Sequence, residues 1–192
     1  MVAIIVVFLL ALWLVRRIWQ TARAVSVRLR LWRRLKRKCE SRGFRLRRER
    51  GLFASFFRTS DRPDLVIETK DADYLISFVT CPRRGQFCYF FSPTHYIRYS
   101  KLYVVLPRGR LTESFRHSHR LKKAPILADS WRTPTKNCKK IPILLFNPAP
   151  AEISHLAESG TRVETDGNGS DLYGWTVYSA QGFLEFLQYL EE

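Results

Sequence analysis

The sequence predicts a mixed α/β (α+β) fold: one small mixed sheet with flanking helices, preceded by one N-terminal transmembrane helix. Three observations predict it. Val2 to Val15 is an unbroken apolar run. From residue 44 onward, short apolar or alternating segments separated by turn residues read as strands. Near the C-terminus, Phe183, Leu184, Leu187 and Leu190 recur at helical spacing behind a Ser179 cap.

The chain of 192 residues has room for one domain and something small. A hydrophobic fraction of 46% and an aromatic fraction of 14% suffice for a packed core and exclude a disordered composition. The net charge of +16 is unevenly spread. Residues 16–50 hold 15 Lys/Arg against Glu40 and Glu49, whereas residues 51–192 carry a net charge of only +3. The basicity is thus a collar beside the apolar run, and the partner it implies first is an anionic lipid surface. Cys39, Cys81, Cys88 and Cys138 contain no CxxC spacing and do not make a disulfide scaffold.

Met1 to Trp19 as a helix rises roughly 28 Å, against a hydrocarbon core of about 30 Å. Arg16 and Arg17 can snorkel, and Trp19 suits the interface. A cleaved signal peptide wants positive charge before the apolar run, where only Met1 stands, although Ala22-Arg23-Ala24 imitates a cleavage site. Lys/Arg lie only on the C-terminal flank. The expectation is a single-pass protein of the cell membrane, N-terminus outside and domain in the cytoplasm. The predicted organisation is an anchor over 1–19, a basic juxtamembrane helix over 20–43 and an α/β domain over 44–192. The surface-facing or phosphate-binding candidates are Arg16, Arg17, Arg23, Arg33, Arg34, Lys36, Arg37 and Lys38.

Residues 16–42 read as helix up to Gly43, against a competing strand-like alternation from Val25 to Leu31. Phe44 to Leu46 is a short strand, and Leu52 to Phe57 an apolar segment of open type. Pro63-Asp64 opens a hairpin from Leu65 to Ile67 and back from Tyr74 to Val79. Phe87 to Phe91, Ile97 to Leu106, Ile141 to Phe146 and Trp175 to Tyr178 are further strands, and a helix covers Gln181 to Leu190. Residues 107–140, rich in Arg, Lys, Ser, Thr and Pro, read as a long loop, which is unusual inside one domain. Gly167-Asn168-Gly169 reads as a hairpin turn: no lysine follows and no helix starts there, as a phosphate cradle would need.

The order helix, strand, hairpin, later strands, helix resembles the core of restriction-endonuclease-like domains, and the strand 175–178 leading into an amphipathic helix resembles the end of Mrr-type members. That superfamily carries PD, a spacer and (D/E)xK. Pro63-Asp64 and Glu68-Thr69-Lys70 are present here, so Asp64, Glu68 and Lys70 are the catalytic candidates. On one strand, however, Asp64 and Glu68 stand roughly 13 Å apart, too far to clamp one Mg²⁺ at bonds of about 2.1 Å. The returning strand, Tyr74 to Val79, offers neither acid nor lysine level with Asp64. The resemblance covers residues 26–80 and 141–190 and implies a degenerate member. The whole chain also resembles short bacterial single-pass membrane proteins with a basic N-terminal helix and an LLLNP-like strand.

Cys81, Cys88, His117 and His119 lack the tight knuckle spacing of zinc sites, so no metal and no cofactor is expected. Arg108, Arg110, Arg116, Arg120, Lys122 and Lys123 form a second basic cluster around Phe115, without a module that interleaves aromatics with basic residues to read bases. The reading that follows is a membrane-anchored, non-enzymatic interaction or structural module with a protein partner. The alternative is a nucleic-acid-binding or nuclease domain of restriction-endonuclease-like fold.

Overall fold

The computed structural model describes residues 2–49, 62–81, 85–105, 111–127 and 138–190. Among them run, in chain order, α1 (Val2–Glu40), β1 (Arg45–Arg48), β2 (Leu65–Glu68), β3 (Ala72–Val79), β4 (Gln86–Ser92), β5 (His95–Val105), β6 (Leu111–Lys123), β7 (Lys139–Phe146), β8 (Glu152–Leu156), β9 (Arg162–Thr165), β10 (Asn168–Leu172), β11 (Trp175–Ser179) and α2 (Ala180–Tyr189).

Six strands form the first sheet in the order β1-β2-β3-β7-β11-β10, and five form the second in the order β6-β5-β4-β8-β9. In the first, β1, β2 and β3 are an antiparallel meander, with Leu65 opposite Ile76 and Glu68 opposite Asp73. β7 then lies parallel to β3, β11 parallel to β7, and β10 returns antiparallel. Parallel neighbours require long crossovers, which are usually helical. Here the β3-to-β7 crossover carries β4, β5 and β6, and the β7-to-β11 crossover carries β8, β9 and β10. The second sheet is assembled from strands inserted in both crossovers, with β4 and β8 pairing in parallel at its centre.

The result is three layers. Alternate residues of β7 face opposite ways: Ile143 and Leu145 pack with Leu31, Leu35 and Cys39 of α1 and with Phe183 and Leu187 of α2. Leu144 and Phe146 pack with Cys88, Phe90, Tyr96 and Ile153 of the second sheet. β3 divides in the same way, Tyr74 and Ile76 toward the helices, Leu75 and Val79 toward the second sheet. A strand covered on both faces needs a continuous apolar run, and Ile-Pro-Ile-Leu-Leu-Phe over 141–146 supplies it.

α1 ends where Gly43 takes φ +71°. Phe44 N–H donates to the Cys39 carbonyl at 2.9 Å and Gly43 N–H to that of Glu40 at 3.3 Å, the paired bonds of a Schellman cap. The strand-like alternation over 25–31 gives way to helix, because Arg28, Leu31 and Leu35 then share the face that meets the domain. The Ser179 hydroxyl caps α2, accepting from Gly182 N–H at 3.0 Å. A Cβ at Gly182 would meet Asn168 Oδ1 at 2.3 Å, so a larger residue there requires the Asn168 side chain to move.

Four expectations are corrected. Among the described residues no helix is long and apolar enough to cross a membrane. This overturns the single-pass anchor over 1–19 and the location in the cell membrane that rested on it. The physical reason is that Val2 to Val15, at 1.5 Å per residue, reaches only about 21 Å before Arg16 and Arg17 interrupt it. α1 also passes through residues 19 and 20 without a break. The segment 107–140 is not one loop: β6 occupies Leu111–Lys123 and β7 begins at Lys139. β6 is a sheet edge, where few apolar residues are demanded, and its Arg, Ser, His and Lys composition concealed it. Finally, the single small sheet is in fact two. Leu52 to Phe57 lies outside the described residues.

Phe183 is fully buried between α2 and the first sheet. Phe183→Ala is expected to remove about 3–5 kcal/mol of stability, read as a lower denaturant midpoint at unchanged slope.

Candidate functional site

The hairpin places Asp64 and Glu68 at opposite ends of β2. Asp64 is buried, and its Oδ2 accepts the Phe78 backbone N–H at 2.8 Å. Its own N–H donates to the Ile76 carbonyl at 2.8 Å. The carboxylate thereby continues the ladder between the start of β2 and β3, and Leu75, Ile76, Ser77 and Phe78 beside it offer no acid or lysine. At the other end, Glu68 faces Arg45 Nη1 at 3.7 Å and Arg47 Nη1 at 3.5 Å across the β1–β2 pair. Lys70 is exposed in the turn that follows. The three catalytic candidates are not brought together. Among the described residues no group of three or more His, Cys, Asp and Glu could hold a metal ion. The side chains of His117 and His119 lie outside the described residues, as do Arg108 and Arg110.

The cationic candidates are better assembled. Arg33, Arg34, Lys36 and Arg37 are exposed and Lys38 is half-buried on the last turns of α1, while Arg16 is exposed far along the helix. The side chains of Arg17 and Arg23 are outside the described residues. Lys36 pairs with Glu40 at 3.6 Å. Arg34, Arg37 and Lys38 form one wall of an open groove of about 320 Å³ between α1 and α2, with Ser41 at its end. Gln181, Glu185 and Gln188 form the other wall, and Leu184 contributes the apolar surface. Among the described residues no carboxylate pairs with Arg34, Arg37 or Lys38. Glu185 instead accepts from Gln181 Nε2 at 2.7 Å.

The ends of α1 and α2 are tied together beside the groove. Arg42, just past α1, donates Nη1–H to the Leu190 carbonyl at 3.4 Å and Nη2–H to that of Gln188. Those carbonyls are the open acceptors at the end of α2, where a cation is favoured. Below the groove Leu35, Cys39, Phe183 and Leu187 are fully buried. The Cys39 thiol is pushed up to about 11, by burial first and then by the Glu40 carboxylate, and remains a protonated, inert core group. The polar part of the α2 wall was missed in the sequence, although Gln181, Glu185 and Gln188 follow i, i+4, i+7 spacing and mark a polar stripe away from Phe183 and Leu187.

The chain matches no protein-family model, no curated protein and no solved structure.

If Asp64 is a ladder acceptor, Asp64→Ala leaves a buried N–H unpaired and is expected to lower stability by about 1–3 kcal/mol. Asp64→Asn, which keeps an acceptor oxygen, should lose less in the same denaturant titration.

Proposed function

We propose that this chain is a non-enzymatic interaction module that takes an acidic protein segment along the groove between α1 and α2. The observation that carries the reading is the cationic wall of Arg34, Arg37 and Lys38, with no carboxylate partner among the described residues, across the groove from Gln181, Glu185 and Gln188. The cations suit carboxylates, and the amides suit the backbone of an extended segment, with Leu184 receiving an apolar side chain between them. The dispersal of Asp64, Glu68 and Lys70 supports the non-enzymatic part of the proposal. Each exposed pair contributes only about 0.2–1 kcal/mol, so binding of this kind is weak, needs several contacts and falls with salt.

A second reading has one observation in its favour. The succession of a helix, the β1-β2-β3 meander, parallel β7 and β11 and a closing helix is compatible with a degenerate restriction-endonuclease-like domain that binds nucleic acid without cutting it. The same cations would then contact phosphates.

Fluorescence anisotropy separates the two readings. An acidic peptide should bind the whole chain, and replacing Arg34, Arg37 and Lys38 by serine should weaken it about tenfold, the equivalent of 1.4 kcal/mol. Replacing Arg16, Arg30 and Arg33, which removes the same charge outside the groove, should change it far less. A DNA duplex that binds more tightly than the peptide, and loses that affinity in the groove variant, would support the second reading. Metal-dependent cleavage of DNA or RNA by the wild type, lost in Asp64→Asn, would contradict both.

A further inference from the structure

A pair of thiols in contact lies at the seam between the two sheets, on the face of the first sheet opposite the groove. Cys81 follows the end of β3 in the first sheet, and Cys88 is inside β4 of the second. Both are fully buried. Their sulfurs are 3.3 Å apart, in S–H···S contact. A disulfide bond is about 2.05 Å long, so closing the gap needs a movement of only roughly 1.2 Å shared between two side chains.

A cation attends the pair. Arg98 of β5 is directly opposite Cys88 in the antiparallel ladder, so their side chains share a face. Its Nη1–H donates to the Thr80 carbonyl at 2.7 Å, which brings the guanidinium across the seam to the residue before Cys81. Arg28 of α1 reaches the same residue, with Nε and Nη2 each 3.4 Å from Thr80 Oγ1. Arg98 Nε is buried and has no hydrogen-bond partner among the described residues, leaving a charged donor that a thiolate or a sulfenic oxygen could accept.

The two sulfurs are unlike. Donation from Cys88 holds the Cys81 thiol below its ordinary range, against the opposing effect of burial and with help from the Arg98 charge. The same hydrogen bond, and then burial, drive Cys88 upward. Cys81 is therefore the sulfur of the pair that loses its proton more readily and Cys88 the one that keeps it, the division of roles that an attacking and a resolving thiol require. Cys39, buried without a neighbouring sulfur and beside Glu40, has none of this.

We propose that Cys81 and Cys88 are a peroxide-oxidisable dithiol that closes to a disulfide joining the two sheets. The Cys81 thiolate attacks one oxygen of hydrogen peroxide; the O–O bond breaks, Cys81 becomes a sulfenic acid, and the departing hydroxide takes a proton from solvent to become water. The Cys88 sulfur then attacks the Cys81 sulfur. The S–O bond breaks, the S–S bond forms, and the sulfenic hydroxyl leaves with the proton of Cys88 as a second water. Two thiols lose two electrons and one peroxide gains them. The complete burial of both sulfurs selects an oxidant near the size of water over a bulky disulfide such as oxidised glutathione, because the smaller molecule needs a smaller opening.

The test is intact-mass and peptide-map analysis of the reduced full chain after limited hydrogen peroxide. The expected product has lost about 2 Da, bridges Cys81 to Cys88 and reverts with dithiothreitol. The same loss is expected when Cys39 and Cys138 are both replaced by serine. Cys88→Ser should strand the sulfenic acid on Cys81, where dimedone traps it. No mass change, a sulfinic acid at either sulfur, a bridge to Cys138 or an intermolecular dimer overturns the proposal. Bridging as fast with oxidised glutathione as with peroxide overturns the assignment of the oxidant.

Discussion

The parallel pairing of β3, β7 and β11 is the constraint on which the rest of the structure depends. Parallel neighbours cannot be joined by tight turns, so two long crossovers must leave the sheet and return. In this chain the crossovers are spent on strands, and all of those strands except β10, which returns to the first sheet beside β11, pair with one another to build a second sheet over the face that helices would otherwise cover. α1 and α2 cover the opposite face. β7 is at the centre of this arrangement, and each of Ile143, Leu144, Leu145 and Phe146 is essentially excluded from solvent. Burying a side chain of that size contributes about 1.5–3 kcal/mol.

Both chemically distinctive places follow from that layering. The cationic groove exists because α1 and α2 lie side by side on one face, with Phe183 and Leu187 turned inward and Gln181, Glu185 and Gln188 left outward. Its charge was legible in the sequence as the basic stretch around Arg33 to Lys38. The dithiol exists because the chain passes from the first sheet to the second between Cys81 and Cys88, and the ladder with β5 sets Arg98 beside them. Arg98 Nε remains as a buried donor with nothing to receive it among the described residues.

What the sequence made legible was local. The Leu65–Ile67 and Tyr74–Val79 hairpin, the buried strand Ile141–Phe146, the Gly43 stop and the Ser179 cap all rest on short-range rules of period, turn chemistry and capping, and all have counterparts in the structure. The separation of Asp64 from Glu68 could be reasoned from strand rise alone, and the Asp64 bond to Phe78 supplies the purpose that spacing could not. Partition of the strands between two sheets was not legible, since pairing partners such as Phe87 of β4 and Glu152 of β8 are 65 residues apart. β6 was hidden by its polar composition, and β8 and β9 by the prolines before them and the glycine between them. The apolar start of α1 misled in the other direction: its composition suggested a crossing, but the uninterrupted run is too short for one.

Native-state hydrogen exchange tests the layered account most directly, because it reports the opening energy of each amide in turn. The account predicts that the amides of Ile143 to Phe146 and Thr176 to Tyr178 exchange last, at the free energy of global unfolding, and that those of the edge strands β1 and β6 exchange earlier. Early exchange in β7 with late exchange in β6 would contradict it, placing the stable centre of the molecule in the second sheet.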